Sequence, residues 1–74
     1  MSYTFLEIRR LVQNGLLDNK AGFRARDIIK LNKSLNPYTV KTFLPKHTLN
    51  RVIYFERIKV GLYRILPIHF KNLN

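Results

Sequence analysis

The sequence predicts an α+β fold in which three helices precede a two-stranded β-hairpin. Three observations support this fold: helical spacing of apolar residues in the first half, an Asn-Pro pair at 36–37, and β-branched and aromatic runs after residue 51. The apolar fraction is 46%, and only three Gly and three Pro occur in 74 residues, so the composition is not that of a disordered chain. We expect one domain over 1–74, because a chain of this length holds a single small core.

The first helix is predicted over 4–17, where apolar residues recur at a 3-4-3 spacing. Thr4 is the expected N-cap, and Glu7, three residues on, is its partner in a capping box. The Asn-Gly pair at 14–15 is expected to be either a weak point in this helix or its C-terminal end, and residues 16–17 are expected to close onto the core. The apolar face consists of Phe5, Ile8, Leu11 and Val12.

The second helix is predicted over about 25–34, after a short extended segment at Phe23. Asp27 lies in its first turn, where a negative charge suits the helix dipole. Its apolar residues are Ala25, Ile28, Ile29 and Leu31, with Leu35 just past its end.

The third helix is predicted over about 37–47 and follows the second after a very short turn. Asn36 is a favourable N-cap, and Pro37 suits the first helical position. Pro45 lacks a backbone N–H, so the helix should end or kink there. The residues expected to face inward are Val40, Phe43 and Leu44.

The last third of the chain is expected to form a hairpin. Strands are predicted at 52–55 and 62–66, where β-branched and aromatic residues dominate. Residues 56–61 should connect them, with Arg57 and Lys59 pointing away from Ile58 and Gly61 providing backbone freedom. The tail at 67–74 is expected to add a strand or to pack over the core.

The charge balance carries the main functional signal. Lys and Arg total 14 and Asp and Glu total four, so the net charge is 14 − 4 = +10. Self-repulsion of such a charge destabilises a compact chain, and it usually indicates a polyanionic partner, most often nucleic acid. Two alternatives stay open: an anionic membrane surface and a charged surface that serves solubility alone.

Membrane insertion and export are not expected. No segment approaches the ~18 consecutive apolar residues of a membrane span, and residues 1–10 do not read as a signal peptide. The absence of Cys excludes a disulfide scaffold and any zinc site that uses Cys. It also fits a reducing cytoplasm, which is the expected location.

The element order is that of a winged helix-turn-helix, and three segments strengthen the comparison. They are 22–29 (GFRARDII), 36–38 (NPY) and 55–65 (FERIKVGLYRI). Over residues 23–66 the chain resembles the small winged-helix domains found attached to restriction endonucleases. The resemblance implies DNA binding through the third helix and no catalytic site. One departure is Leu44-Pro45-Lys46, where that family continues its third helix, so the reading surface is expected to be shorter.

The predicted DNA contacts lie at the start of the second helix, on the third helix and in the hairpin. Lys41 and Lys46 on the third helix would contact phosphates or base edges, since a major groove of about 12 Å admits one helix. Thr39 is assigned equally to base contact and to support of the helix start. The full predicted set consists of Arg24, Arg26, Tyr38, Thr39, Lys41, Thr42, Lys46, Arg57 and Lys59.

Catalysis and metal binding find no support in the spacing of polar residues. A nuclease gathers two or more carboxylates around metal ions, whereas the four carboxylates here are scattered over separate elements. His47 and His69 lie 22 positions apart, and no glycine-rich phosphate loop occurs. We expect no enzyme activity, metal or cofactor, and we interpret His47 as a partner of the helix dipole or a DNA contact.

The sequence thus predicts a binder of double-stranded DNA, either a small transcriptional regulator or a DNA-targeting module. One alternative is an RNA-binding or ribosome-associated protein that stacks bases on Tyr54, Phe55 or Tyr63. Another is a winged-helix module for protein interaction, which should expose a large apolar patch. By analogy with small regulators, a homodimer would use the apolar first helix together with Ile68 and Phe70.

Overall fold

The computed structural model has three helices followed by a two-stranded antiparallel hairpin, which confirms the α+β winged-helix arrangement. It describes residues 2–49 and 52–73, with side chains as far as residue 70. Arg51, the expected start of the hairpin region, lies outside the described residues. The elements are α1 (Tyr3–Gln13), α2 (Ala25–Leu31), α3 (Pro37–Leu49), β1 (Phe55–Lys59), β2 (Leu62–Ile65) and a final 3₁₀ helix (Pro67–Leu73).

Helix α1 begins one residue earlier than predicted, because Ser2 is its N-cap. The Ser2 hydroxyl accepts a hydrogen bond from the N–H of Phe5 at 3.3 Å. The prediction of a capping box formed by Thr4 and Glu7 is therefore wrong. The Glu7 carboxylate instead accepts hydrogen bonds from Arg10 and Asn32. The predicted end at 14–15 is confirmed, with Asn14 as C-cap and Gly15 at φ +75°.

Helix α2 is shorter than predicted, since it ends at Leu31 rather than near residue 34. Asn32 leaves helical geometry (φ −137°, ψ 97°), and its side-chain oxygen accepts from the N–H of Ser34 at 3.0 Å. Such an Asx turn competes with another helical turn. The start of the next helix is confirmed, because Asn36 Oδ1 accepts from the N–H groups of Tyr38 and Thr39 at 2.9 and 3.2 Å.

Helix α3 continues through Pro45 to Leu49, but it is kinked near the proline, where an end or a kink was predicted. The kink falls at His47 (φ −95°, ψ 22°), two residues after the proline. Downstream chain bends back at this point, since the carbonyl of His47 accepts from the N–H of Tyr54 at 2.9 Å. The helix therefore gains surface beyond Pro45 at the cost of a distorted last turn.

Strand β1 begins at Phe55, which is the last residue of the strand predicted at 52–55. Residues 52–54 do not pair as a strand, because their backbone groups bind other partners. The carbonyl of Val52 accepts from His47 Nδ1 at 2.8 Å, and that of Ile53 accepts from His69 Nε2 at 2.9 Å. The residues assigned to a connection, 56–59, form β1 instead.

The hairpin register places Phe55 opposite Ile65 and Arg57 opposite Tyr63. An irregularity between Arg57 and Lys59 leaves the residue between them unpaired, and Gly61 closes the turn at φ +76°. The extended segment at Phe23 is confirmed: it pairs with Tyr63 through N–H···O bonds of 2.7 and 2.9 Å. Strand β2 therefore has β1 on one side and the Phe23 segment on the other.

The core lies between the helices and the inner face of the hairpin, where Phe5 stacks on Tyr54 at 3.9 Å between ring centroids. Two expectations are corrected: Leu16 is 55% exposed, and Leu62 is only half-buried. The tail forms the 3₁₀ helix, not a strand, and Phe70 packs against the core. The other expected core residues are buried, namely Phe5, Ile8, Ile28, Val40, Phe43 and Phe55.

Candidate nucleic-acid interface

The outer face of α3 presents five of the nine predicted contact residues. The helix turns Val40, Phe43 and Leu44 into the core, which leaves its other side in solvent. No acidic residue lies on this helix. The exposed residues on its outer face are Tyr38, Thr39, Lys41, Thr42 and Lys46.

The threonines and the tyrosine supply the uncharged part of this face. Thr42 donates its hydroxyl hydrogen back to the carbonyls of Tyr38 and Thr39, at 3.1 and 3.2 Å. The donor is therefore used within the helix, whereas the oxygen lone pairs and the methyl group remain available to a base edge. Tyr38 is 75% exposed, so it is not the packing residue that an aromatic near a helix start often is.

The hairpin brings one cation, Arg57, beside α3 and exposes a second, Lys59. Arg57 lies on the edge strand β1 and lines a small groove together with Pro45, Thr48 and Leu49 of the helix. Lys59, at the end of the same strand, is exposed. Both residues stand on a strand and not in the predicted connection.

Two groove residues on α3, Thr48 and Leu49, were not among the predicted contacts. They lie beyond Pro45, where the sequence predicted that the helix would end or kink. No local pattern marks them, because their position beside Arg57 depends on how the hairpin folds back.

The start of α2 carries two predicted contact residues, Arg24, which contacts the hairpin, and Arg26, which is exposed to solvent. Arg24 is half-buried, and its Nη1 lies 3.4 Å from the carbonyl oxygen of Val60 in the hairpin turn. Its backbone N–H donates to Asp27 Oδ2 at 2.8 Å, which holds the first turn of the helix. Arg26 is exposed. The structure thus joins Arg24 to the hairpin and leaves Arg26 on α2.

All four carboxylates are engaged within the protein, and none of them lies on α3. Among the described residues, only Arg10 and Arg64 have carboxylate partners, which are Glu7 and Glu56. Arg57 thus forms an ion pair with neither Glu56 nor Asp27. The remaining cations of α3 and the hairpin face solvent without a neutralising acid, which produces a net positive surface there.

Glu7 is the one buried charged side chain among the described residues. Arg10 donates to both of its oxygens at 2.7 Å, and the side-chain amide of Asn32 donates to Oε2. The hydrogen bonds from Arg10 lower the pKa of Glu7, and the one from Asn32 adds to this effect against the opposing cost of burial. This network ties α1 to the C-terminal end of α2.

The histidines and the aromatic residues have structural positions. His47 and His69 donate to the backbone of 52–53 and flank the ring of Tyr54 at 5.1 and 5.3 Å. Tyr54 and Tyr63 are each only 7% exposed, so they do not form the base-stacking platform of the RNA alternative. No group of three metal-ligating side chains occurs within residues 2–49 and 52–73.

The fold and this surface define a small basic domain with the winged-helix arrangement. Comparison with protein-family models, curated proteins and solved structures yields no match for the chain. Within the part of the chain that the structure describes, no helix is long and apolar enough to cross a bilayer.

Proposed function

We propose that the protein binds double-stranded DNA, with α3 in the major groove and the hairpin against the adjacent backbone. The observation that carries the proposal is the acid-free outer face of α3, which lies beside Arg57 of the hairpin. The ten residues of α3 that precede the kink at His47 extend about 15 Å, enough to follow the groove across several base pairs.

In this mode the cations and the uncharged side chains have different tasks. Lys41, Lys46 and Arg57 contact phosphates, which supply most of the affinity without selecting a sequence. Thr39 and Thr42 face the bases, where a hydroxyl oxygen or a methyl group can discriminate between base pairs. Either role in the cell, transcriptional regulator or DNA-targeting module, uses the same surface. The cytoplasmic location and the homodimer stay predictions.

The proposal is tested by fluorescence anisotropy with labelled random duplex DNA, single-stranded DNA and a structured RNA, each at several salt concentrations. We expect the duplex to bind tightest, with log K falling linearly against log salt at a slope of about −0.9 per phosphate contact. Equal or tighter binding of the RNA would replace the proposal by the RNA alternative. If none of the three binds at low salt, the positive surface serves another purpose and the proposal is wrong.

A further inference from the structure

A groove separate from the DNA interface lies between the α1–α2 loop and α2. Its volume is about 310 Å³, and it shares no lining residue with the groove beside Arg57. Leu17 and Phe23 are buried and form its floor, whereas Leu16 and Leu31 are exposed at its rim. Because the rim is open, the groove suits the side chains of a docked protein segment better than an enclosed small molecule.

Two of the four carboxylates line the same groove. Asp18 Oδ1 accepts from the N–H groups of Lys20 and Ala21 at 2.9 and 3.1 Å. Asp27 Oδ2 accepts from the N–H of Arg24 at 2.8 Å. The other oxygen of each carboxylate accepts no hydrogen bond from the described residues, and neither carboxylate forms a described ion pair. The backbone thus orients both groups and leaves one oxygen of each for a partner.

The local charge of the groove is opposite to that of the whole chain. Its charged lining residues are Asp18, Asp27 and Lys30, a sum of 1 − 2 = −1 in a protein of net charge +10. A cation placed between Asp18 and Asp27 is attracted by two carboxylates that have no cationic side-chain partner among the described residues. A second copy of the chain carries +10 itself, and long-range repulsion opposes its approach.

We propose that this groove docks a segment of another protein in which a Lys or Arg stands next to a bulky apolar residue. The cation lies between Asp18 and Asp27, and the apolar side chain lies between Leu16 and Leu31. This inference does not rest on DNA binding, since the groove shares no residue with the cations of α3 and β1. The protein can then hold its partner while the face of α3 stays open.

The test uses three capped peptides, Ser-Leu-Arg-Leu-Leu-Ser and the same peptide with Gln or Glu in place of Arg. Each is titrated into the ¹⁵N-labelled protein while backbone amide shifts are followed. We expect the Arg peptide to shift the amides of the groove, with an affinity about threefold or more above that of the Gln peptide and higher still than that of the Glu peptide. The amides to follow are those of Leu17, Asp18, Gly22, Asp27 and Leu31.

Charge and shape are then removed separately. In the double variant D18N/D27N each Asn keeps an oxygen for the backbone N–H groups, so the fold should persist while binding of the Arg peptide falls to that of the Gln peptide. Leu31→Ala should weaken all three peptides, because it opens the rim. Leu6→Ala, which is exposed to a similar extent on α1 but lies outside the groove, should leave the binding unchanged.

Three outcomes would overturn the proposal. The proposal is wrong if the three peptides bind alike, if their shifts fall on α3 and the hairpin, or if no groove amide moves at millimolar peptide. Dilution of the protein alone provides the last check: if groove amides shift with protein concentration, a second copy occupies the groove and the proposed partner is wrong.

Discussion

At the scale of single residues, the candidate interface owes its positive charge to where the carboxylates are used. Glu7 and Glu56 each bind an arginine, and Asp18 and Asp27 each accept backbone N–H groups. Because α3 itself carries no acid, cations such as Lys41 face solvent without a carboxylate partner among the described residues. The sequence shows the excess of 14 cations over four acids, but not which cations lack a partner.

Replacing Lys41 and Lys46 together by Ala should weaken duplex binding and flatten its salt dependence. Each lost phosphate contact reduces the slope of log K against log salt by about 0.9. The matched control is Lys30→Ala with Lys33→Ala, which removes the same charge from residues on or just after α2. Anisotropy titrations at four salt concentrations compare the two. Equal losses in both double variants would show that net charge, and not the face of α3, governs the affinity.

Glu7 should make the protein sensitive to acid. Its pKa is lowered in the folded protein, mainly by the hydrogen bonds from Arg10, and returns to its ordinary value of about 4.5 on unfolding. The unfolded chain therefore binds a proton first as the pH falls, and the stabilisation that is present above this ordinary pKa is lost as the pH falls through the folded-state pKa.

Urea denaturation at pH values between 7 and 3 measures this loss. We expect Glu7→Gln to be less stable than the wild type at pH 7. Its free energy of unfolding should also decrease less than that of the wild type as the pH falls. Glu56→Gln removes an exposed carboxylate that also pairs with an arginine, and it should keep the wild-type acid step because Glu7 is intact. Parallel curves for the wild type and Glu7→Gln would contradict this account.

At the scale of elements, the close approach of the Phe23 segment to the hairpin depends on Gly22. This glycine has φ +95°, and a Cβ built on it would lie 2.7 Å from Ile58 Cδ1 and 3.0 Å from Leu62 Cγ. Its conformation and its surroundings therefore both exclude a side chain. Gly15 has a similar φ of +75°, but no atom lies within 4 Å of its Cβ position.

The two glycines make a matched pair for mutation. Gly15→Ala should lower the free energy of unfolding by about 1–2 kcal/mol, the cost of a left-handed backbone. Gly22→Ala adds a steric clash and should cost roughly 1–3 kcal/mol more. Chemical denaturation of both variants gives the difference. If they were equally stable, the packing between the Phe23 segment and the hairpin would be looser than these distances indicate.

At the scale of the whole molecule, charge and size act together. The protein measures 29 × 26 × 24 Å. The Debye length is about 30 Å at 0.01 M salt and about 10 Å at 0.1 M. At the lower concentration every cation repels every other across the molecule, whereas at the higher one only neighbours interact. A domain of this length has little stability to spare for such repulsion.

The melting temperature should therefore rise between 0.01 M and 0.1 M NaCl. For a domain of this size, each kcal/mol of relieved repulsion raises Tm by roughly 4–8 °C. Circular dichroism melts measure the rise. A variant with Gln in place of the exposed Lys20 and Lys33 should melt higher at low salt and respond less. A Tm that is flat or falls over this range would mean that self-repulsion is not a significant cost.

By itself the sequence determined the element types, their order and most of the core. These depend on local patterns: the 3-4-3 spacing of α1, the Asn36-Pro37 start of α3 and the run of β-branched and aromatic residues at 62–66 that contains β2. Short-range rules suffice for them, since helix periodicity and capping involve residues three or four positions apart.

Only the tertiary structure decided where β1 begins and which cations meet. Residues 52–54 have strong β-propensity, yet their backbone groups bind His47, His69 and Leu66, so pairing starts at Phe55. Likewise, Arg57 reaches the end of α3 only because the hairpin folds back beside that helix. The physical reason is the same in both cases. The side chains that bind the backbone of 52–53 lie 5 and 16 positions away in the chain. No local sequence pattern indicates which distant group will bind a backbone carbonyl or contact a side chain.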